Sequence, residues 1–383
     1  MDQTSYIEIS KSAYNHNIKY LRNTIGSDIR FSSVVKGNAY GHGVDIIVPL
    51  AEKAKINHFS VFSASEALDV FNAASPKSDI MIMGYLSDDQ LAWAIEKNIE
   101  FYIFNVERLQ KAIDLAKAIK KPARIHIEVE TGFNRTGIEY ENMSEVVNLI
   151  TDNQKHLILE GLCTHYAGAE SVTNYYRIIN QIKDYRRFYQ YLTRHNLKPR
   201  FRHTAGSAAS LTYPQTIMDM VRIGISQYGF WPTKETYIYQ FKRNQAKDSD
   251  LKRVITWKTR VMSIKEVDPG EFVGYGSSFM ANKTMKVAII PVGYTNGFSR
   301  SLSNMGRVLI RGKRVPVVGT VTMNTMSVNV TDIPNVEIGD EVVLVGKQKR
   351  LAISIASFSE MSNQLNYQTL ARLPSNIPRH VVY

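Results

Sequence analysis

The sequence predicts an α/β plus β protein: an N-terminal (β/α)8 TIM-type barrel followed by a C-terminal, mostly antiparallel β domain. Two observations carry that expectation. Over the first ~230 residues, short apolar runs alternate with segments whose apolar residues recur at helical spacing. After WPTKE (231–235) the texture changes to apolar runs separated by Gly, Pro and Asn turns.

In order, the first part offers eight candidate strands: RFSSVV (30–35), HFSVFS (58–63), IMIMG (80–84), EFYIF (100–104), ARIHIEV (123–129), LILEGLCTH (157–165), RFRHT (200–204) and MVRIG (220–224). Amphipathic stretches such as SEALDVFNAA (65–74), SDDQLAWAIEKN (87–98) and NVERLQKAIDLAKAIK (105–120) lie between them. So regular a series of βα units favours a barrel over a doubly wound sheet. The second part reads as strands at 254–267, 285–292, 307–312, 314–321, 326–330 and 340–346, with one late helical segment at ISIASFSEMSNQL (353–365).

Composition sets outer limits. The chain has 383 residues, 44% of them apolar and 21% charged, which is ordinary for a folded protein with a sizeable core. The net charge of +12 raises the question of nucleic acid. The basic residues are scattered, however, and densest in YRRFYQYLTRH (185–195) and FKRNQAKDSDLKR (241–253), where acids interrupt the second run. Without zinc-finger spacing or a basic-aromatic RNA signature, solvated faces are the better reading and no nucleic-acid partner is expected. Cys163 is the only cysteine, so no intrachain disulfide forms, and it reads as a small core residue. There is no apolar leader-like region at the N-terminus and no 18-residue apolar run. The expectation is a cytoplasmic protein without a membrane partner.

In a (β/α)8 barrel the functional groups gather at the carboxyl ends of the strands. Lys36 follows the first candidate strand, within VVKGNAYGHG (34–43). Arg135 follows the fifth, His165 ends the sixth, His203 and Ser207 lie at the end of the seventh, and Arg222 ends the eighth. One rim thus collects cations, hydroxyls and an amine. That suits an anionic, phosphorylated cofactor and an amine that reacts with a carbonyl. The runs GSAAS (206–210) and RIGI (222–225) can each present backbone N–H groups to a phosphate. Each residue alone has an ordinary structural reading as well: a surface lysine, a core histidine, an ion-paired arginine.

Taken together, VVKGNAYGHG, EVETGFNRTG, CTHYAGAE, HTAGSAAS, RIGISQYG, VGYGSSF (273–279), PVGYTNG (291–297) and NYQTLARLPSNIPRHVVY (366–383) resemble, in order, the motifs of the alanine racemase family. The resemblance covers essentially the whole chain. It implies residues 1–10 as a strand joining the β domain, 11–235 as the cofactor barrel and 236–383 as the β domain. It also implies pyridoxal 5'-phosphate as cofactor, a small-molecule amino-acid substrate and a head-to-tail homodimer with shared active sites. Lys36 would carry the cofactor through its amine and serve as one catalytic base; Tyr275 of the partner subunit would be the other. Arg222 would meet the pyridine nitrogen, and His165 would link it toward Tyr275. Tyr40, Ser207, Tyr367 and the backbone at Gly224 and Ile225 would hold the phosphate. Arg135 would reach the cofactor's phenolic oxygen and the substrate carboxylate, assisted by the backbone amide of the partner subunit's Met323, while Tyr294 would narrow the entrance.

Three departures from the family pattern bear on function. Thr322, Met323 and Asn324 stand where Cys-Met-Asp is usual, which removes a negative charge near the entrance and widens the candidate substrates. Glu128 stands where a carbamylated lysine is common and could supply that anion itself. Gly37 and Gly206 replace Ala and Asn. The expected activity is interconversion of L- and D-alanine. A broad-specificity racemase (serine, lysine, arginine) is the alternative, and a non-catalytic pyridoxal-phosphate carrier the remote one.

Overall fold

The computed structural model describes residues 4–244, 251–362 and 366–383. Contacts divide the chain into two compact units: Tyr14–Lys36 with Ile47–Lys252, and Met1–Ala13 with Gly37–Ile46 and Arg253–Tyr383. The first strand, β1 (Ser5–Ser10), belongs to the second of these.

The barrel unit contains β2 (Arg30–Val34), β3 (His58–Val61), β4 (Asp79–Ile82), β5 (Glu100–Ile103), β6 (Ala123–Glu128), β7 (Leu157–Cys163), β8 (Phe201–His203) and β9 (Met220–Ile223). They are parallel neighbours in the order β8-β7-β6-β5-β4-β3-β2-β9. Asp219 N–H donates to Arg202 O (3.2 Å) and Arg222 N–H to Ala205 O (2.9 Å), bringing the two ends together as a nearly closed barrel. All eight expected strands are present, each trimmed at one or both ends. Strands β3, β5 and β6 are buried along their whole length, as parallel strands covered on both faces must be. The helices start where side chains cap them. Ser63 with Glu66 and Ser87 with Gln90 form reciprocal capping boxes, and Asn105 accepts from Arg108 N–H at 2.9 Å.

The sequence expectation placed the domain boundary at 235/236, whereas this unit runs to Lys252. Helix Lys234–Asn244 stays with the barrel: Tyr20 Oη donates to Gln240 Oε1 at 3.4 Å, and the Tyr20 ring meets Trp231 edge-on at 5.9 Å.

The β unit adds β10 (Ile255–Arg260), β11 (Ser263–Val267), β12 (Met285–Ile290), β13 (Arg307–Ile310), β14 (Lys313–Val318), β15 (Met326–Asn329), β16 (Glu341–Gln348), β17 (Leu351–Ile353) and β18 (Arg379–Val382). Their order is β11-β12-β15-β14-β13-β16-β10-β1-β18, with β17 paired to β16. β1 runs antiparallel to β10, with Ile7 opposite Trp257, and parallel to β18. Alternate residues of β1 and β10 (Ile7, Ile9, Ile255, Trp257) point into the core, the period-2 pattern of a sheet with one covered face.

Here the expectations need two corrections. The single run at 254–267 is two strands interrupted at Val261 and Met262. The helical segment expected at 353–365 is Ile355–Ser362, and its last three residues lie outside the described ones. No helix among the described residues is long and apolar enough to cross a membrane.

Candidate active site

The strand ends bring the sequence-predicted barrel residues to one mouth. Lys36 lies two residues beyond β2. After β9 the chain turns through Ile225–Tyr228, and that turn is stitched to the end of β2. Gln227 Nε2 donates to Val34 O (3.1 Å), Ser33 Oγ donates to Gln227 Oε1 (2.7 Å) and Tyr228 Oη donates to Val34 O (3.0 Å). Because β2 and β9 also pair Ser32 with Arg222, the arginine and the lysine strand are fixed in common register. From the other side, Ser207 Oγ accepts from Gly224 N–H at 3.0 Å, joining the two segments predicted to offer N–H groups to a phosphate. His165 packs over Gly206, where a Cβ would lie 3.3 Å from its Cε1. The missing side chain at Gly206 therefore gives the imidazole its room.

Arg222 is buried and its donors are largely committed. Nη1 bonds the ring and the carbonyl of His203, and Nη2 donates to Thr164 O at 2.7 Å. Its Nε–H has no hydrogen-bond partner among the described residues. Arg135 stacks its guanidinium 4.2 Å above the Phe133 ring, and that ring lies 5.7 Å from His165. Phe133 thus links two predicted site residues, and the sequence reading passed it over.

These cations act on one another. The crowded mouth and then the charges of Arg222, Arg135 and Lys36 lower the pKa of His165, which keeps exposed surface there, so the neutral ring is favoured. The Lys36 amine is also pushed below the usual lysine range, by partial desolvation at the mouth and then by Arg135, with Glu66 opposing, while the residue keeps exposed surface. Glu128 is buried (4% exposed), so it does not face bulk solvent. It accepts from Thr136 Oγ1 at 2.8 Å, and no ion pair within 4.0 Å joins it to Arg135 among the described residues. Burial raises its pKa, while the Thr136 bond, Arg222 and Arg135 oppose the rise. Glu128 therefore anchors the turn that carries Arg135 instead of clasping the arginine itself.

The remaining predicted residues lie in the β unit. Immediately after Lys36, Gly37, Asn38, Ala39 and Tyr40 all adopt positive φ (61°, 52°, 52° and 53°), a single left-handed turn. Such a run costs about 1–2 kcal/mol for each non-glycine residue and needs outside support. It receives Gly41 N–H to Gly37 O (2.9 Å), Gly43 N–H to Asn38 O (3.0 Å) and Val44 N–H to Asn38 Oδ1 (2.9 Å). The C-terminal segment adds more. Arg379 Nε donates to Gly41 O at 2.9 Å, and Gly41 lies so close to Leu370 that a Cβ would sit 2.2 Å from its carbonyl oxygen. The turn delivers Tyr40 to Tyr367, rings 6.1 Å apart, so these two predicted phosphate ligands do meet.

Tyr294 and Met323 are also brought together. Tyr294 N–H donates to Thr322 O (3.1 Å), and Met323 O accepts from Thr295 N–H (3.1 Å) and Thr295 Oγ1 (2.7 Å). Thr322 spends its hydroxyl within the turn, on Thr325 (2.9 Å). Among the described residues Asn324 reaches only Thr295 Oγ1, at 3.5 Å. The Met323 N–H is left without an acceptor among the described residues. Tyr275 is 74% exposed, on a glycine-flanked turn whose carbonyl accepts from Thr320 Oγ1 at 3.0 Å.

Comparison with known proteins identifies the family. Residues 9–232 match the family described as alanine racemase, N-terminal domain, and residues 254–381 match alanine racemase, C-terminal domain. Alanine racemase 1 of Caldanaerobacter subterraneus subsp. tengcongensis is 31% identical over 378 residues, 98% of this chain and 94% of that protein. The crystal structure of alanine racemase from Bacillus anthracis with bound L-Ala-P is 28% identical, with a TM-score of 0.91 over 100% of this chain and 96% of that one. Alanine racemase of Clostridium difficile in complex with cycloserine is 26% identical, with a TM-score of 0.89 over the same shares. The chain belongs to the alanine racemase family and is an amino-acid racemase, an isomerase.

Proposed function

We propose that this protein interconverts L- and D-alanine with pyridoxal 5'-phosphate, using Lys36 of one subunit and Tyr275 of its partner as the two bases. The observation that supports this most directly is the barrel mouth, where a lysine with a lowered pKa faces a neutral histidine and two arginines. The residues present fit the cofactor. Arg222 keeps one donor, Nε–H, for a ring nitrogen, and arginine cannot readily give up its proton. The Ser207 hydroxyl, oriented by the Gly224 N–H that it accepts, the Ile225 N–H and the hydroxyls of Tyr40 and Tyr367 are donors suited to a phosphate. When bound, the cofactor acidifies the substrate's α-hydrogen by delocalising the resulting negative charge.

The protein's part is proton handling. Racemisation needs one group to take a proton from one face and a second to return one to the other. A lysine with a depressed pKa has its free amine available nearer neutral pH, so Lys36 suits one face. The exposed hydroxyl of Tyr275 is free of the barrel unit's own packing, and from a second copy of the chain it would serve the opposite face. His165, kept neutral, can both accept and donate and so link Arg222 toward that tyrosine. Arg135 and the backbone amide of the partner subunit's Met323 would hold the substrate carboxylate.

The test is to incubate the purified protein with separate L-amino acids (alanine, serine, lysine, arginine, methionine) and read the D-enantiomer by chiral chromatography. Conversion of alanine far above the rest supports the reading. Comparable conversion of larger side chains replaces it with a broad-specificity racemase whose entrance is opened by Thr322 and Asn324. No conversion of any of them sinks both.

A further inference from the structure

Below the mouth, the barrel interior holds a second polar group that the reaction as described does not use. Its members are Glu100 at the start of β5, His58 at the start of β3, His126 in β6 and His203 in β8, all with no exposed surface. Glu100 Oε2 accepts from His58 Nε2 (3.0 Å) and His126 Nε2 (2.8 Å). His126 Nδ1 lies 2.8 Å from His203 Nε2, and His203 Nδ1 bonds Arg222 Nη1.

The direction of every proton in this series follows from one fact: a guanidinium only donates. Arg222 gives a hydrogen to His203 Nδ1, so that nitrogen must carry a lone pair. The His203 proton is then on Nε2 and points at His126 Nδ1, which must be a second lone pair. The His126 proton is in turn on Nε2 and points at Glu100. An imidazolium at either position would set two donors face to face. Burial and the adjacent Arg222 charge hold His203 well below the usual histidine pKa, consistent with the neutral ring that this pattern requires.

We propose that His126 and Glu100 are positioning residues for Arg222, acting through His203. They fix the tautomer of the ring that holds Nη1, and so the orientation in which Nε–H faces the mouth. The neutral rings carry the influence of the Glu100 carboxylate to the guanidinium without placing a charge beside it. Gly161 protects the contact: a Cβ there would lie 2.1 Å from His126 Nδ1 and 2.7 Å from His203 Nε2. That explains a glycine in mid-strand, where the residue is otherwise unfavourable. The proposal rests on the reading that Arg222 meets the cofactor's ring nitrogen.

Two measurements on the full chain loaded with pyridoxal phosphate test it separately from that reading. In histidine-selective 15N labelling, long-range 1H–15N correlations at neutral pH should show His126 and His203 both protonated on Nε2 only. A proton on Nδ1 of either ring overturns the relay, whatever the enzyme's activity. The second measurement compares His126→Leu, His126→Gln and Gly161→Ala. Leu removes both contacts, and about a tenfold loss of kcat is expected with KM within twofold, the size usual for outer-sphere partners. Gln, which can donate to Glu100 and accept from His203, should recover most of it. Pyridoxamine phosphate formed per racemisation turnover should rise about tenfold in the Leu variant, because an arginine out of place no longer keeps the ring nitrogen unprotonated. A purely structural loss would lower both processes together, and that outcome rejects the positioning role. If the Leu variant does not fold, Gly161→Ala decides by the same ratio. A wild type that binds the cofactor but racemises nothing removes the functional reading and leaves the tautomer result standing alone.

Discussion

The barrel unit contains two concentrations of charge that are managed in opposite ways. At the strand starts, Arg124 bonds Asp79, Glu100 and Glu160, each at 2.6 Å, and Arg30 pairs with Asp79. Cation and anion alternate, and Glu100 stays ionised: burial alone would raise its pKa, but His58 and His126 more than reverse this. At the strand ends, Lys36, Arg135 and Arg222 crowd around a neutral histidine, and the nearby Glu128 has its pKa raised. The first region is a buried ion network, whose value lies in being complete. The second is left short of anions, which makes it unfavourable alone and receptive to an anionic cofactor and substrate. Balance marks the scaffold here, and imbalance marks the site.

Changes at the mouth should destroy function without unfolding the protein. Lys36→Ala and Tyr275→Phe are each expected to reduce kcat by about 10²–10⁴-fold, the usual contribution of a positioned acid or base. Mixing the two inactive chains sharpens the point. If sites are shared, mixed dimers carry one intact site, and activity should return to roughly a quarter of wild type. A mixture that stays dead denies delivery of Tyr275 by the partner.

Changes at the strand starts should show first in stability. Glu100→Gln leaves Arg124 short of an anion in a buried setting and should cost about 3–5 kcal/mol in chemical denaturation. Arg135→Gln, at the exposed rim, should change stability by no more than about 0.5 kcal/mol. Equal losses would erase the distinction between the regions.

Acid should destabilise the fold through its buried histidines. Burial lowers the pKa of His58 and His203 in the fold, and of His42 in the β unit to about 4, against 6.5 when unfolded. Between pH 4 and 6.5 the unfolded chain binds a proton at His42 that the folded chain refuses, so acidification favours unfolding. Each such histidine contributes about 1.4 kcal/mol per pH unit. Glu100, with its depressed pKa, adds stability above its unfolded value that is lost as pH falls through the folded one, in the same direction. Melting temperature should therefore fall steeply below pH 6.5; a flat profile from 6.5 to 4 would contradict the neutral buried rings.

Two smaller effects refine the picture of the mouth. Glu128→Gln, which loosens the Thr136 anchor, should raise KM about fivefold, worth ~1 kcal/mol, with stability nearly unchanged; unaltered KM and kcat would show that Arg135 is held otherwise. Glu66 raises the Lys36 pKa. Glu66→Gln should consequently move the acid limb of kcat/KM to lower pH, and a shift to higher pH would reassign that limb.

Much of this was legible in the sequence because barrel strands and rim residues follow local rules. Eight apolar runs bounded by helical periodicity gave the strands, and one polar residue past each of several runs gave the mouth. What escaped notice depended on partners distant in sequence. His126 lies within an apolar-looking run, ARIHIEV, and only the register with β7 and β8 shows that Arg124, His126 and Glu128 share the interior face. Phe133 reads as an ordinary loop aromatic until Arg135 is seen stacked on it. The break at Val261 has no turn residue to announce it, and β18 pairs with a strand at the other end of the chain. The left-handed turn after Lys36 is foreshadowed only by Gly37, since Asn38, Ala39 and Tyr40 follow it through tertiary support.

That turn carries an implication for the order of events during synthesis. Every barrel strand has been made once residue 223 leaves the ribosome. The clamps on Gly41, namely Leu370 and Arg379, come within the last fourteen residues of the chain. At about 5–20 residues per second, the nascent chain waits on the order of tens of seconds with its lysine loop made but not yet gripped. Activity should accordingly appear only after Leu370 and Arg379 have been made, and a stop codon placed before Leu370 should silence the enzyme while leaving its barrel intact.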